Sequence, residues 1–195
     1  ADAASGVGSP QIRAKGTMAG NLCNASPAGD MLPVSWLYDA QLELMNADGT
    51  VGETPVNGFI TGPQKTILQP DQAVTAILID LKLFEGYVSA FHKIGSRERV
   101  SISREGLAAA VKLDENGKVE QARLSLGAVG GTPIRVTDAE EYMRGRVLDE
   151  KLIEEITPMV AETIHNNCRP ANRLYKTEAA RGLTADTFAK LMSRL

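Results

Sequence analysis

Hydrophobic and polar residues follow two different patterns along the chain, and the change between them predicts the fold class. Before about residue 130, apolar residues alternate with polar ones in short stretches, which is typical of half-buried strands. From Asp138 onward, apolar residues recur every three or four positions, which is typical of helices that bury one face. The sequence therefore predicts an α+β protein, with a lobe of loops and strands followed by an antiparallel sheet and three helices.

The helical part has clear start and stop signals. The first predicted helix begins at Thr137 or Asp138 and ends near residue 145. Asp149 is a suitable N-cap for a second helix that reaches about His165. A third helix is predicted from residue 170 to the end, with an interruption at Gly182 and a new N-cap at Thr184.

The strand part predicts two domains. The apolar run at residues 74–81 is typical of a buried strand, and Asn116-Gly117 predicts a tight hairpin turn. Composition changes around residues 82–86, so we expect a first domain at residues 1–82 and a second at residues 87–195. The predicted strands are residues 40–45, 74–81, 87–94, 106–113 and 118–126.

Residues 16–33 have no regular pattern and are rich in Gly, Ala, Ser, Asn and Pro. An irregular segment of this length is uncommon inside a compact domain and is often functional. Glycines allow a backbone to approach a ligand closely, and short amide and hydroxyl side chains suit a pyrophosphate or a polyol. The alternative is a structural Ω-loop packed by its own small residues. Asp30 is predicted to cap a short helix at residues 31–38.

The composition and charge of the chain argue against several kinds of binding partner. The chain has 195 residues, 43% hydrophobic and 23% charged, with a net charge of −3. This charge gives no basic face for nucleic acid, and no apolar stretch is long enough to span a membrane. Cys23, Cys168 and two histidines are too few and too scattered to predict a metal site built by this chain alone. We expect a reduced, cytoplasmic protein.

An ordered set of motifs resembles one family. Residues 7–30, VGSPQIRAKGTMAGNLCNASPAGD, resemble the segment VGSxQIRNxGTIGGNxxxASPxxD of the FAD-binding (medium) subunits of molybdenum hydroxylases. These subunits are of the xanthine dehydrogenase and carbon monoxide dehydrogenase flavoprotein type. Further segments resemble, in the family's order, its GxxKT loop, its FxK…R strand, its LGG…P segment and its terminal YK…L helix. In this chain they are residues 62–66, 91–97, 126–133 and 175–183.

The resemblance implies a fold and a function. The fold is the C-terminal part of a vanillyl-alcohol-oxidase-like FAD-binding domain, followed by the C-terminal domain of such flavoproteins. The function is electron transfer within an oxidoreductase that is not active as a single chain. Electrons pass from a molybdopterin subunit through the [2Fe–2S] clusters of an iron–sulfur subunit to FAD, and then to an acceptor such as NAD. The substrate is not encoded in this chain.

The resemblance also implies contacts with the phosphate side of FAD. Thr17 and Asn21 match family positions that contact the pyrophosphate region, and Gly20 matches the second glycine of the family's GGN turn. Asn24 occupies a position that is often Thr, which implies a further polar contact. These residues are the implied anchors of the cofactor.

Three more residues match positions nearer the flavin ring. Asp30 matches an acidic residue associated with the sugar–polyol part, and Val74 matches an apolar position beside the ring system. Lys93 matches a lysine near the flavin, where a positive charge favours an anionic reduced flavin. Without the resemblance, Lys93 reads as an ordinary lysine at the edge of a strand.

The sequence departs from the family in two ways. Ala19 stands where the family has the first glycine of GGN, which fits only if its φ is negative. The family's N-terminal lobe, with its AGGTDL-type loop, has no counterpart in the printed sequence. We therefore expect another chain or segment to supply that lobe, and this chain alone to bind FAD weakly or not at all. The alternative is a non-catalytic assembly subunit that holds no flavin.

Overall fold

Short helices dominate the start of the chain in the computed structural model, which describes residues 1–97 and 100–195. Thr17 accepts the Gly20 N–H at 2.9 Å, and Leu22 is fully buried. This cap and this burial outweigh the low helix propensity of Gly and Asn. The prediction of an irregular segment at residues 16–33 was therefore wrong over residues 18–24, which form a helix. The helices are α1 Asp2–Gly6, α2 Pro10–Lys15, α3 Met18–Asn24 and α4 Met31–Leu37.

A small antiparallel sheet follows, in the strand order β2-β1-β5. The strand predicted at residues 40–45 is confirmed as β1. The strand predicted as buried over residues 74–81 ends at Leu78 and lies at the edge of the sheet. Because only one face of this edge strand packs on the core, its residues are half-buried or exposed, and that prediction was wrong. The elements are β1 Gln41–Asn46, β2 Val51–Pro55, α5 Val56–Phe59, β3 Ile60–Gly62, β4 Lys65–Thr66 and β5 Gln72–Leu78.

A larger sheet, in the order β6-β7-β8-β9, forms after a 3-10 turn at Leu81–Phe84. The hairpin turn predicted at Asn116-Gly117 is confirmed between β7 and β8, where Gly117 has φ +73. A left-handed backbone of this kind favours glycine. The strands are β6 Tyr87–Gly95, β7 Ser103–Leu113, β8 Val119–Gly127 and β9 Ile134–Arg135.

Helices cover one face of this sheet. Asp149 accepts the Leu152 N–H at 2.8 Å, which confirms the predicted cap of α7. The third helix runs without a break through Gly182, so the predicted interruption was wrong. Thr184, expected to start a new helix, instead donates its hydroxyl to the Ala180 carbonyl at 2.8 Å within the same helix. The helices are α6 Thr137–Met143, α7 Glu150–Asn167 and α8 Arg173–Met192, with a 3-10 turn at Pro170–Asn172 before α8.

The first helices of the chain pack against the face of the larger sheet that α6–α8 leave uncovered. We call residues 1–80 the N-terminal region and residues 87–195 the C-terminal region. Ala3 of α1 and Leu37 of α4 share a buried cluster with Phe91 and Ala108 of the sheet. A Cβ at Gly127 would lie 2.7 Å from Pro33 Cγ, so α4 approaches β8 closely. The predicted α+β class is confirmed, with the larger sheet packed between α6–α8 and the first helices.

Candidate functional site

A cleft of about 730 Å³ opens between α1, α2 and α3. Thr17, Gly20, Asn21 and Asn24, all predicted from the sequence, line it together. They share one face because α3 repeats every 3.6 residues, which places positions 17, 20, 21 and 24 side by side. The apolar part of the lining is Ala4, Val7, Ile12, Met18 and Met31.

The local geometry of α3 depends on small residues. A Cβ at Gly20 would lie 3.0 Å from Thr17 Oγ1, so a larger residue there would press on the helix cap. Ala19 lies within α3 and is not among the residues with positive φ, so alanine replaces the family's glycine without backbone strain. The departure at this position is therefore compatible with the loop-to-helix geometry.

Asn21 carries an unpaired polar atom at the cleft. Its Oδ1 is buried and has no hydrogen-bond partner among the described residues. A buried acceptor without a partner costs free energy, and this oxygen is closed off from solvent, so the part of the amide that can meet a ligand is its Nδ2 donor. A Cβ at Gly29 would lie 3.1 Å from this oxygen and 2.8 Å from Leu32 Cδ1, so only glycine lets the chain pack this closely around the amide. The site therefore suits a ligand with polar groups.

The charged residues that line the cleft, Arg13 and Lys15, are both cationic. The Arg13 guanidinium donates to the carbonyls of Val7 and Gly8 at 3.0 and 2.9 Å, which orients it at the rim. Lys15 is exposed and forms no ion pair within the part of the chain that the structure describes. Two cations without a carboxylate beside them favour an anionic ligand such as a diphosphate.

Asp30 and Lys93 form a separate, buried ion pair. Lys93 Nζ lies 2.5 Å from Asp30 Oδ2, and their side chains are 16% and 5% exposed. The Ser103 hydroxyl donates to the other Asp30 oxygen, and Lys93 also donates to the Gly6 carbonyl at 2.9 Å. The interpretation of Lys93 as an ordinary strand-edge lysine was therefore wrong. Asp30 makes no side-chain cap to α4, contrary to that prediction, because these two partners occupy its carboxylate.

Val74 lies apart from both groups. It is on β5, where it packs against the buried cluster that contains Leu22, Leu42 and Phe59. The structure thus brings four of the predicted residues together in the cleft and pairs Asp30 with Lys93. Met31, which lines the cleft, directly follows Asp30 and connects the two groups along the chain.

Sequence reasoning missed several charged and polar residues around this region. Arg13 and Lys15 were detectable, because they belong to the same motif as Thr17. Asp2 and Ser103 gave no signal, since their partners are distant in sequence: Arg194 lies 2.7 Å from Asp2, and Ser103 bonds to Asp30. Such contacts depend on the tertiary fold rather than on local spacing.

Comparison with known proteins identifies the family. Residues 1–80 match the family model described as the FAD binding domain in molybdopterin dehydrogenase. Residues 90–191 match the CO dehydrogenase flavoprotein C-terminal domain. The chain therefore belongs to the family of FAD-binding subunits of molybdopterin-dependent dehydrogenases, which are oxidoreductases.

Individual relatives agree with this family. The chain is 36% identical to the xanthine dehydrogenase FAD-binding subunit of Escherichia coli O157:H7, over 83% of this chain and 55% of that protein. It is 32% identical to the nicotinate dehydrogenase FAD-subunit of Eubacterium barkeri, over 99% of this chain and 66% of that protein. The chain thus spans between half and two thirds of the length of these relatives.

Solved structures show the same fold. A reconstituted CO dehydrogenase from Oligotropha carboxidovorans aligns with a TM-score of 0.82 at 22% identity, over 98% of this chain and 66% of that chain. Quinoline 2-oxidoreductase from Pseudomonas putida 86 aligns with a TM-score of 0.85 at 20% identity, over 95% and 64%. Among the helices of the described residues, none has both the length and the apolarity needed to cross a membrane.

Proposed function

We propose that this chain is part of an FAD-binding electron-transfer subunit of a molybdenum hydroxylase, and that its cleft holds the diphosphate part of FAD. The observation that carries the proposal is the convergence of Thr17, Gly20, Asn21 and Asn24 with two unopposed cations in one cleft. Exposed amide and hydroxyl groups with nearby positive charge are suited to a dinucleotide-type cofactor. The proposal includes two domains: residues 1–82 form the second lobe of the FAD-binding domain, and residues 87–195 form the flavoprotein C-terminal domain.

Each residue has a distinct proposed role. Arg13 and Lys15 neutralise the diphosphate, Thr17 and Asn24 offer polar contacts, and the Asn21 side-chain amide donates a hydrogen bond to a phosphate oxygen. Gly20 lets the cofactor approach the backbone of α3. FAD, when bound, supplies the redox chemistry, and the protein supplies position and charge.

The resemblance assigns three residues beyond the cleft to the flavin end of the cofactor. Asp30 is proposed to contact the sugar–polyol part, and Lys93 to place a positive charge near the ring. Val74 is proposed as an apolar neighbour of the ring system. Support comes from the resemblance in residues 7–30 and 91–97, together with the position of Asp30 next to Met31 of the cleft.

Partners follow from the same proposal. An iron–sulfur subunit would deliver electrons that originate at a molybdopterin subunit, and FAD would pass them to an acceptor such as NAD. Names of relatives support a multi-chain assembly: a glyceraldehyde dehydrogenase medium chain from Sulfolobus acidocaldarius and a dehydrogenase complex subunit alpha from Paenarthrobacter nicotinovorans. Residues outside this chain, in a partner or a further segment, are proposed to complete the FAD site as an N-terminal lobe.

The proposal is tested by flavin content. We expect the purified complex to show the flavin absorbance bands near roughly 370 and 450 nm, which are properties of the cofactor. Replacing Asn21 with Ala should weaken FAD binding about tenfold, because the side-chain amide that donates to the cofactor is lost. Asn57→Ala, at an exposed position on α5, is the matched control and should bind FAD normally.

Two results would contradict the proposal. A colourless wild-type complex that contains molybdenum and iron would favour the alternative, an assembly subunit that holds no flavin. Equal FAD affinity in the Asn21→Ala and Asn57→Ala proteins would remove the cleft from the binding site. Titration of the isolated chain with FAD separately tests the missing lobe: we expect weak or no binding, and tight stoichiometric binding would show that no second lobe is needed.

A further inference from the structure

Helix α1 forms part of the wall of the cofactor cleft, but the residues that hold it in place belong to the C-terminal region. Ala4 of α1 and Val7, which follows it, line the cleft. Ala3, the preceding residue of the helix, is only 4% exposed and packs in the cluster that contains Phe91 of β6. The wall of the cleft is therefore built on the sheet of the C-terminal region.

One end of α1 is held by an ionic clamp. Arg194 Nη2 lies 2.7 Å from Asp2 Oδ1, and Lys190 Nζ lies 3.4 Å from the same oxygen. The other Asp2 oxygen accepts the Phe91 N–H at 3.2 Å. Burial alone raises the pKa of Asp2, but the Arg194 hydrogen bond, the Phe91 N–H and the two cations outweigh it and lower the pKa to about 2. Asp2 is therefore ionised at neutral pH.

The other end of α1 is held by Lys93. Its ammonium donates to the Gly6 carbonyl at 2.9 Å, which satisfies one of the free carbonyls at the end of the helix. Both anchors of α1 come from the C-terminal region.

We propose that Asp2, Lys190 and Arg194 are positioning residues for FAD binding, because they fix α1 as one wall of the cofactor cleft. The inference rests on the proposed function of that cleft. It makes cofactor affinity depend on the end of α8, although neither Lys190 nor Arg194 lines the cleft. Loosening the clamp would let α1 move away and enlarge the cleft, although no residue that lines the cleft has been replaced.

The test is an FAD titration of the complete flavin subunit in its assembled complex. Asp2→Asn and Arg194→Gln should each weaken FAD binding about fivefold, because each removes a charge-assisted hydrogen bond from the wall. Arg194→Lys, which keeps the charge, should restore most of the affinity. The double variant Asp2→Asn/Arg194→Gln should bind no more weakly than the single variants, since both break the same contact.

The control is the exposed pair Lys151–Glu155, whose closest atoms are 3.8 Å apart. Lys151→Gln and Glu155→Gln make the same changes of charge and should leave FAD affinity unchanged. Hydrogen exchange of residues 1–15 should rise in Asp2→Asn and Arg194→Gln, and Lys190→Gln gives a milder version should either variant fold poorly.

The outcomes separate the two proposals. Wild-type affinity in both Asp2→Asn and Arg194→Gln would overturn the positioning role while leaving the cleft as the FAD site. Equal losses in Lys151→Gln would also overturn it, because the effect would then reflect net charge alone. A wild-type complex that binds no FAD would overturn the proposed function, and the positioning role with it.

Discussion

Two lysine–carboxylate pairs on neighbouring strands differ in how they are satisfied. Lys93 of β6 contacts Asp30 directly, at 2.5 Å, and Ser103 donates a second hydrogen bond to the same carboxylate. Glu105 of β7 is fully buried, yet neither of its oxygens has a hydrogen-bond partner among the described residues. Its neighbour Lys176 donates instead to the carbonyls of Arg104, at 2.7 Å, and Ala128.

The difference shows that the hydrogen bonds made by a buried carboxylate, rather than the closeness of a lysine alone, decide how well its negative charge is stabilised. Burial raises the pKa of Glu105 to about 7, and the attraction of Lys176 only partly opposes it. Burial likewise lowers the pKa of Lys176, although Glu105 pulls it upward. Asp30, by contrast, lies in a network in which both carboxylate oxygens are bonded. Glu105 is therefore a buried group whose charge changes near neutral pH.

The largest expected effect comes from breaking the satisfied pair. Lys93→Met should lower the free energy of unfolding by about 3 kcal/mol, because it leaves the buried Asp30 carboxylate with Ser103 as its remaining partner. Urea denaturation at pH 7.5 measures the change. Lys112→Met is the matched control, since Lys112 and Glu120 form an exposed pair at 3.3 Å and its loss should cost less than about 0.5 kcal/mol. Equal losses at the two lysines would mean that burial of the pair contributes nothing.

The Glu105–Lys176 pair should make the free energy of unfolding depend on pH. The pKa of Glu105 rises from an ordinary 4.5 to about 7 on folding, so the folded state holds a proton that the unfolded state has lost. Wild-type stability is therefore undiminished below about pH 4.5 and falls as pH rises through 7. Glu105→Gln removes this titration. Relative to wild type, it should gain about 2 kcal/mol between pH 5 and pH 8, after allowing for relaxation around the charge.

Urea denaturation at both pH values measures this gain. Glu120→Gln, at an exposed site on β8, is the control, and its difference from wild type should change by less than about 0.5 kcal/mol over the same range. A constant difference between wild type and Glu105→Gln would show that Glu105 ionises normally.

The smallest expected effect comes from removing one hydrogen bond of the Asp30–Lys93 pair. Ser103→Ala should cost about 1.5 kcal/mol, because one oxygen of the buried Asp30 loses its donor while the Lys93 contact remains. Thermal unfolding at neutral pH provides the measurement. Ser101→Ala, two positions away and partly exposed, should be close to neutral. A Ser103→Ala protein as stable as wild type would indicate that Lys93 alone satisfies the carboxylate.

Local signals explain which elements were predictable. The Asp149 cap and the Asn116-Gly117 turn were recognised because each needs only a few neighbouring residues. Helix α3 was missed although its cap Thr17 was visible, because Gly and Asn within it have low helix propensity and burial of Leu22 is a tertiary effect. The continuity of α8 through Gly182 likewise depends on packing.

The candidate site was predictable only in part. The four residues of the cleft lie within eight positions of each other, so one motif was enough to bring them together. The resemblance assigned Asp30 and Lys93 to the same cofactor, but their direct contact spans 63 positions and no periodicity encodes it. The state of Glu105 was equally hidden, because desolvation depends on everything packed around it.

The clamp around Asp2 has a consequence for self-association. Strand β6 is at the edge of the larger sheet, where unpaired backbone groups can recruit a strand from another molecule. Asp2 accepts a hydrogen bond from the Phe91 N–H. Lys190 donates to the Phe91 carbonyl at 3.2 Å, and Arg194 donates to the Ser89 carbonyl. Charged side chains thus fill the hydrogen-bonding positions that an incoming strand would need, and they protect this edge of the sheet against aggregation.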